Sequence, residues 1–139
     1  MRVMVMMKGT EAIEQGVQPS AALMQEMMAF NEELVNAGIM QGGDGLQPSS
    51  KGKRIVFSKD AAPTVYDGPF TETKELIAGY WVWEVRDMNH AVEWARRIPN
   101  TDGLHGEVEI RPFVTFEDFD NMTPEIAAKE KELRERTGG

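Results

Sequence analysis

Asp67, Lys74, Tyr80, Glu109 and Arg111 are the side chains of this sequence with the best claim to chemistry. Each also has a plainer use. Glu109 and Arg111 alternate with Val108 and Ile110, and in a strand that spacing sends the apolar pair to one face and the charged pair to the other. If the charged face lies in an interior, its charges must be paired or bind something polar, because a stranded charge is costly in a low-dielectric space. A salt bridge between strands or subunits is the plainer use, and contact with a small anionic ligand the sharper one. Asp67 precedes Gly68-Pro69-Phe70; it could stand at a cleft mouth, or accept local backbone hydrogen bonds in a turn. Lys74-Glu75 could form a buried pair in a cleft, although neighbouring charges at a strand entrance are more commonly solvated. Tyr80, beside Trp81 and Trp83, could stack on a ligand, but aromatics on such a strand usually serve a core or an interface.

Other chemistries lack their residues. The chain has no cysteine, which excludes disulfides and thiolate metal sites. Its two histidines, His90 and His105, stand apart in polar surroundings and read as surface residues. There is no HExxH, and the acidic run Glu117-Asp118-Phe119-Asp120 lacks the spacing of a calcium loop. No nucleophile elbow, phosphate loop or dinucleotide fingerprint is present; Gly42-Gly43-Asp44-Gly45 comes nearest but lacks the strand-to-helix context. No metal and no cofactor are expected. A net charge of -8 repels phosphate backbones and anionic lipid, so neither nucleic acid nor membrane is an expected partner. The apolar N-terminal run is cut short by Lys8, too soon for a secretory core or a membrane span, and a cytoplasmic location is expected.

The positioning elements follow from periodicity. Residues 3–7 read as a strand and residues 10–19 as a loop. From a Ser20 cap, Leu23, Met27, Phe30 and Leu34 line a helical stripe, widened by Met24, Met28 and Val35 and ended at Gly38. Residues 39–47 form a strand broken by glycines. Residues 53–58 form a better one, with residues 64–66 pairing back as a short arm. Residues 76–85 (LIAGYWVWEV) are the clearest strand, apolar on both faces. Asp87 caps a second helix to Ile98, and residues 107–113 are the last strand. Residues 116–139 form a charged helical extension to the main domain of residues 1–115, with Thr123-Pro124 as cap and first-turn proline.

This order predicts an α+β fold of the ferredoxin-like kind, with two helices on one face of an antiparallel sheet. Two strands that are apolar on both sides leave the other face unexplained, since monomers rarely expose so large a patch. Pairing with a second copy about a two-fold axis removes that exposure at about 25 cal/mol per Å² buried, so a homodimer is expected.

Tyr66-Asp67-Gly68-Pro69-Phe70-Thr71-Glu72-Thr73-Lys74-Glu75, followed by Gly79-Tyr80, resembles the signature of the DGPF-domain branch of the YCII-related family. Phe30-Asn31-Glu32-Glu33-Leu34, Gly43-Asp44-Gly45-Leu46-Gln47-Pro48, Glu93-Trp94-Ala95 through Ile98-Pro99, and Glu107-Val108-Glu109-Ile110-Arg111-Pro112 follow the same pattern in order, over residues 1–115. The resemblance implies a dimeric α+β barrel and a bacterial setting, in which DGPF proteins are often linked to sigma factors. It also implies, for some relatives, a catalytic histidine and aspartate; here the matching places hold Met27 and Ile98, and neither can move a proton. The expected function is a dimeric small-molecule-binding or regulatory module with a polar cleft between the two sheets. The alternatives are a lyase- or isomerase-like enzyme acting on a small anion through Asp67, Glu109 or Arg111, and a protein-interaction module.

Overall fold

The computed structural model describes residues 1–138. Its frame is a four-stranded antiparallel sheet of β1 (Arg2–Lys8), β2 (Met40–Gly45), β5 (Ile77–Glu84) and β6 (Val108–Pro112), in the order β2-β5-β1-β6. Helices α2 (Ala21–Asn36) and α3 (Met88–Ala95) close the βαβ units. This is the ferredoxin-like topology that the order of elements predicts.

The helices share one side of the sheet with Val3, Val5, Trp81 and Trp83, and Phe30, Leu34 and Ala91 complete the core from α2 and α3. Phe30 sits edge-on to Trp81 and Trp83 at centroid distances of 6.1 and 6.4 Å, a favoured arrangement of ring quadrupoles. The Trp81 indole N–H donates to Asn31 Oδ1 at 2.9 Å. Gly38 ends α2 at φ 73°: its amide donates to the Val35 carbonyl and that of Ile39 to the Leu34 carbonyl, a Schellman ending that needs a residue at ease in the left-handed region.

Three local expectations change. Met24, Met28 and Val35 are exposed rather than part of the buried stripe of α2; at 100° per residue they lie roughly 120–160° from Phe30, beyond the arc that a sheet can cover. The segment expected as loop contains a one-turn helix, α1 (Glu11–Glu14), capped by the Thr10 hydroxyl; a single turn is too short to carry a periodic apolar signal. The central hairpin, β3 (Lys53–Ser58) with β4 (Ala61–Asp67), forms a sheet of its own with every residue exposed. Pro63 is tolerated there because both strands are edges.

The N-terminus of α2 is tied down by charge. Ser20 caps Leu23 N–H at 3.0 Å, and Asp102 accepts from the Ser20 amide at 3.1 Å and from its hydroxyl. The Ser20 hydroxyl, and then its amide, hold the Asp102 carboxyl below its ordinary value of 3.8. A carboxyl whose value is lowered by folding adds stability above its unfolded value and loses it as pH falls through the folded one. Asp102→Ala is therefore expected to lower the urea midpoint at about pH 7, with the deficit shrinking as the pH falls below 3.8 and through the folded value. A deficit that persists undiminished in acid would assign the loss to something other than this ionised group.

Candidate functional site

On the side of the sheet away from the helices, strand pairing sets side chains in rows. One row runs Asp44, Tyr80, Met6, Glu109, and the next runs Gly42, Val82, Met4, Arg111. Arg2 and Glu84 stand opposite each other at one end, and Lys8 closes the other, 3.8 Å from Glu109. Met4, Met6, Tyr80 and Val82 make a half-buried central band. Around it stand three bases, Arg2, Lys8 and Arg111, and three acids, Asp44, Glu84 and Glu109. The side chains of this open face balance in charge on a chain whose net charge is -8, and the N-terminal ammonium of Met1 adds a further positive group at Glu84, 3.1 Å away.

Glycine lets β2 approach the band. A methyl on Gly43 would stand 2.7 Å from the Tyr80 carbonyl oxygen and 3.0 Å from the Trp81 ring, so β2 lies close on β5 only because this side chain is absent. Over the β2–β5 side hangs α4 (Pro124–Arg136), capped by Thr123, and between it and the sheet is a cleft of about 950 Å³. Arg2, Asp44, Tyr80 and Val82 form its floor; Phe116 and Arg134 belong to its far wall. Arg2 Nε donates to Gln41 Oε1 at 3.0 Å while its guanidinium lies over the Phe113 ring at 4.7 Å. Arg134 is held by Glu130 one turn earlier. With Thr115 and Glu130 also in its lining, the cleft offers two hydroxyls, two carboxylates and two guanidinium groups beside the apolar side chains of Val82, Val114 and Phe116, which suits a small polar molecule with a flat apolar part.

A second construction surrounds the Asp67-Gly68-Pro69-Phe70 loop. Ser49 donates its amide to Glu14 Oε2 at 2.9 Å and its hydroxyl to Oε1. The same hydroxyl accepts the Phe70 amide at 2.9 Å. Gly68 lies so close to the Ser49 carbonyl that a methyl would overlap it. Arg54 covers the Phe70 ring at 4.0 Å and reaches Glu72 at 3.6 Å. The backbone amide of Glu72, the Thr71 hydroxyl and Arg54 together hold the Glu72 carboxyl below its ordinary value of 4.5. Glu14, Ser49 and Arg54 thereby fix the loop, and a recess of about 280 Å³ lies beside it.

The candidate residues therefore divide. Tyr80, Glu109 and Arg111 share the open face, and Tyr80 alone among the five lines the large cleft. Asp67 stands on the exposed hairpin, paired with Lys53, and Lys74 is exposed in the turn before β5. Met27 and Ile98 both pack against the core on the helix side. Both ring nitrogens of His90 face donors, the Arg86 amide at 3.1 Å and the Trp94 indole at 3.2 Å, and a neutral imidazole accepts through only one of them. The sequence pattern does not single out Arg2, Asp44 or Arg134, which the structure brings to the cleft. Asp44 alone had a signal, in its glycine run; the others become neighbours only through the sheet and the C-terminal crossing.

A model of the YCII-related domain matches residues 1–115. The chain belongs to the YCII-related family. Its similarity extends to an uncharacterized protein of Rhizobium meliloti (strain 1021), 28% identical over 94 residues, which are 68% of this chain and 75% of that one. Among solved structures it is similar to 5-chloro-2-hydroxyhydroquinone dehydrochlorinase from Burkholderia phenoliruptrix, in complex with 2,5-dihydroxybenzoquinone. That match has 16% identity and a TM-score of 0.47, and covers 86% of this chain and all of that one. In this YCII-related chain the DGPF residues form the fixed loop at the root of the hairpin, and the tail beyond residue 115 supplies one wall of the cleft. No helix among the described residues is long and apolar enough to cross a membrane.

Proposed function

We propose that this YCII-related protein is a homodimeric small-molecule-binding module, in which two copies meet through the open faces of their sheets and the ligand lies at the β2–β5 side, against Tyr80. The observation that carries this reading is the open face itself: an apolar band half in water, ringed by equal numbers of acidic and basic side chains. A two-fold interface sets one patch against itself, so the patch must be self-complementary in charge. A face whose side chains balance, on a strongly acidic chain, meets that need. Binding rather than catalysis is favoured, because the one hydrogen-bonded acid–base pair among the described cleft residues, Glu130 with Arg134, includes a guanidinium that does not give up its proton.

A thermal-shift screen of the full chain against a library of small carboxylates and phenols tests the binding reading. Compounds that seat in the cleft are expected to raise Tm by several degrees at about a hundred times their Kd, equivalent to roughly 2.7 kcal/mol, and to lose that effect in Tyr80→Ala. A library without a single stabilising compound would sink it.

A further inference from the structure

The hairpin and the segment after β6 are both left uncovered by their own subunit. On the hairpin, Ile55, Phe57 and Val65 are 56%, 77% and 58% exposed, and an isolated two-stranded ribbon is marginal in water. Residues 51–67 carry four bases, Lys51, Lys53, Arg54 and Lys59, against two acids, Asp60 and Asp67; Lys53 is paired with Asp67 and Arg54 with Glu72 in the same chain, so Lys51 and Lys59 hold the positive charge left for a partner. Residues 114–120 are the opposite in charge: Glu117, Asp118 and Asp120 with no base, among Val114, Phe116 and Phe119, all three exposed. Each is an apolar patch with a charge that the other would neutralise.

They cannot meet within one chain. The hairpin roots at the end of the sheet where Gly9 N–H bonds Leu76 and Phe70 N–H bonds Ser49, beside Lys8, Ile77 and Gly45. The segment 114–120 begins at the opposite end, where Phe113 N–H bonds the Arg2 carbonyl and Val114 and Phe116 border the cleft near Arg2. When two open faces meet, a two-fold axis along the strands brings like ends together, base against base. An axis across the strands brings unlike ends together, twice. Like charges juxtaposed in an interface are penalised and unlike ones favoured, so the surface charges choose between the two axes.

We propose that in the homodimer the β3–β4 hairpin of each copy clasps residues 114–120 of the other. This rests on the open-face dimer proposed above and adds its axis and its outer contacts. The clasp leaves the hairpin free in a single copy and covered in the pair, and it carries the β4 end, with Asp67, next to the partner's cleft wall.

The chain has no cysteine, so single cysteines report contacts without interference. Phe57→Cys and Phe119→Cys chains, mixed and oxidised with diamide, are expected to give a covalent pair containing one of each, while neither chain alone gives one efficiently. Phe57→Asp is expected to raise the dimer dissociation constant about tenfold or more. A native chain that sediments as a pair yet forms no mixed disulfide, or one in which Phe57→Cys links preferentially to itself, overturns the clasp and leaves the open-face dimer standing. A native chain that sediments as a single copy at micromolar concentration removes both.

Discussion

Gly68→Ala is expected to lower the stability of the chain by about 3 kcal/mol, at the upper end for forcing an extra methyl into a packed site, and to drop Tm by roughly 10 °C in a protein of this size. The cause is space and not torsion. Gly68 has no positive φ, so alanine can adopt its backbone conformation, but the added methyl would overlap the Ser49 carbonyl oxygen. Relief requires Ser49 to retreat, and Ser49 is held on two sides, by Glu14 and by the Phe70 amide. The whole tie between α1, the turn at Ser49–Lys51 and the hairpin root must therefore give way together. Gly52→Ala is the matched control in the same turn: its methyl would stand 3.5 Å from the same carbonyl, an ordinary contact, and a change within about 0.5 kcal/mol is expected. Calorimetry on the pair checks this. Equal melting temperatures for the two variants would show that the loop is not clamped as described.

That tie also shows where the sequence stops speaking. Asp67-Gly68-Pro69-Phe70 stands out as a motif, and its turn-forming residues announce a loop with a fixed shape. What it is fixed against, Glu14 and Ser49, lies 56 and 21 residues before Phe70 in the chain and carries no periodicity or spacing that ties it to the motif. Strand β5 lies at the other extreme. Its double-faced apolar pattern announces both the core side, Trp81 and Trp83, and the half-covered side, Tyr80 and Val82, because a period of two is a local property. Helix α2 falls between: the axis of its stripe is legible, but its width is set by how much of a cylinder a sheet can cover, so Met24, Met28 and Val35, which the widened stripe predicts inward, lie outside. For the candidate site, the alternation of Val108, Glu109, Ile110 and Arg111 places two charges on the open face, whereas Asp67, marked out by its motif, stands on the hairpin. Motif membership marks residues that the fold needs in one place, and that place here is a structural joint.

The open face and the hairpin fit together through their charges. A chain this acidic repels its own kind at long range, and two features offset that repulsion locally: the balanced ring around Met4 and Met6, and the basic hairpin. Both sit where a second copy would lie, whereas Glu26, Glu32 and Glu33 lie on α2, the helix that covers the other side of the sheet. Specificity for its own kind over other acidic proteins then follows from register, since only a copy presents the same rows in the same order.

Met6→Glu should accordingly be the most damaging single change to the pair. Met6 lies between Tyr80 and Glu109 in its row, and its neighbours Val5 and Met7 point the other way, toward the core. A carboxylate there leaves the isolated subunit nearly untouched, because in one copy the side chain is only half-buried and can turn to water. In the proposed pair it would lie under the partner's sheet beside Glu109, and the two-fold would repeat the injury. Burying one uncompensated charge costs about 3–5 kcal/mol, which corresponds to roughly a hundredfold to several thousandfold in the dissociation constant. Met6→Leu keeps volume and polarity and should change it less than about tenfold. Sedimentation equilibrium over a concentration series, with urea unfolding of each variant alongside, separates loss of pairing from loss of fold. The telling result is a Met6→Glu chain that unfolds at the native urea midpoint but sediments as one copy; one that still pairs as tightly as the native chain would mean that the sheet covers this face by other means.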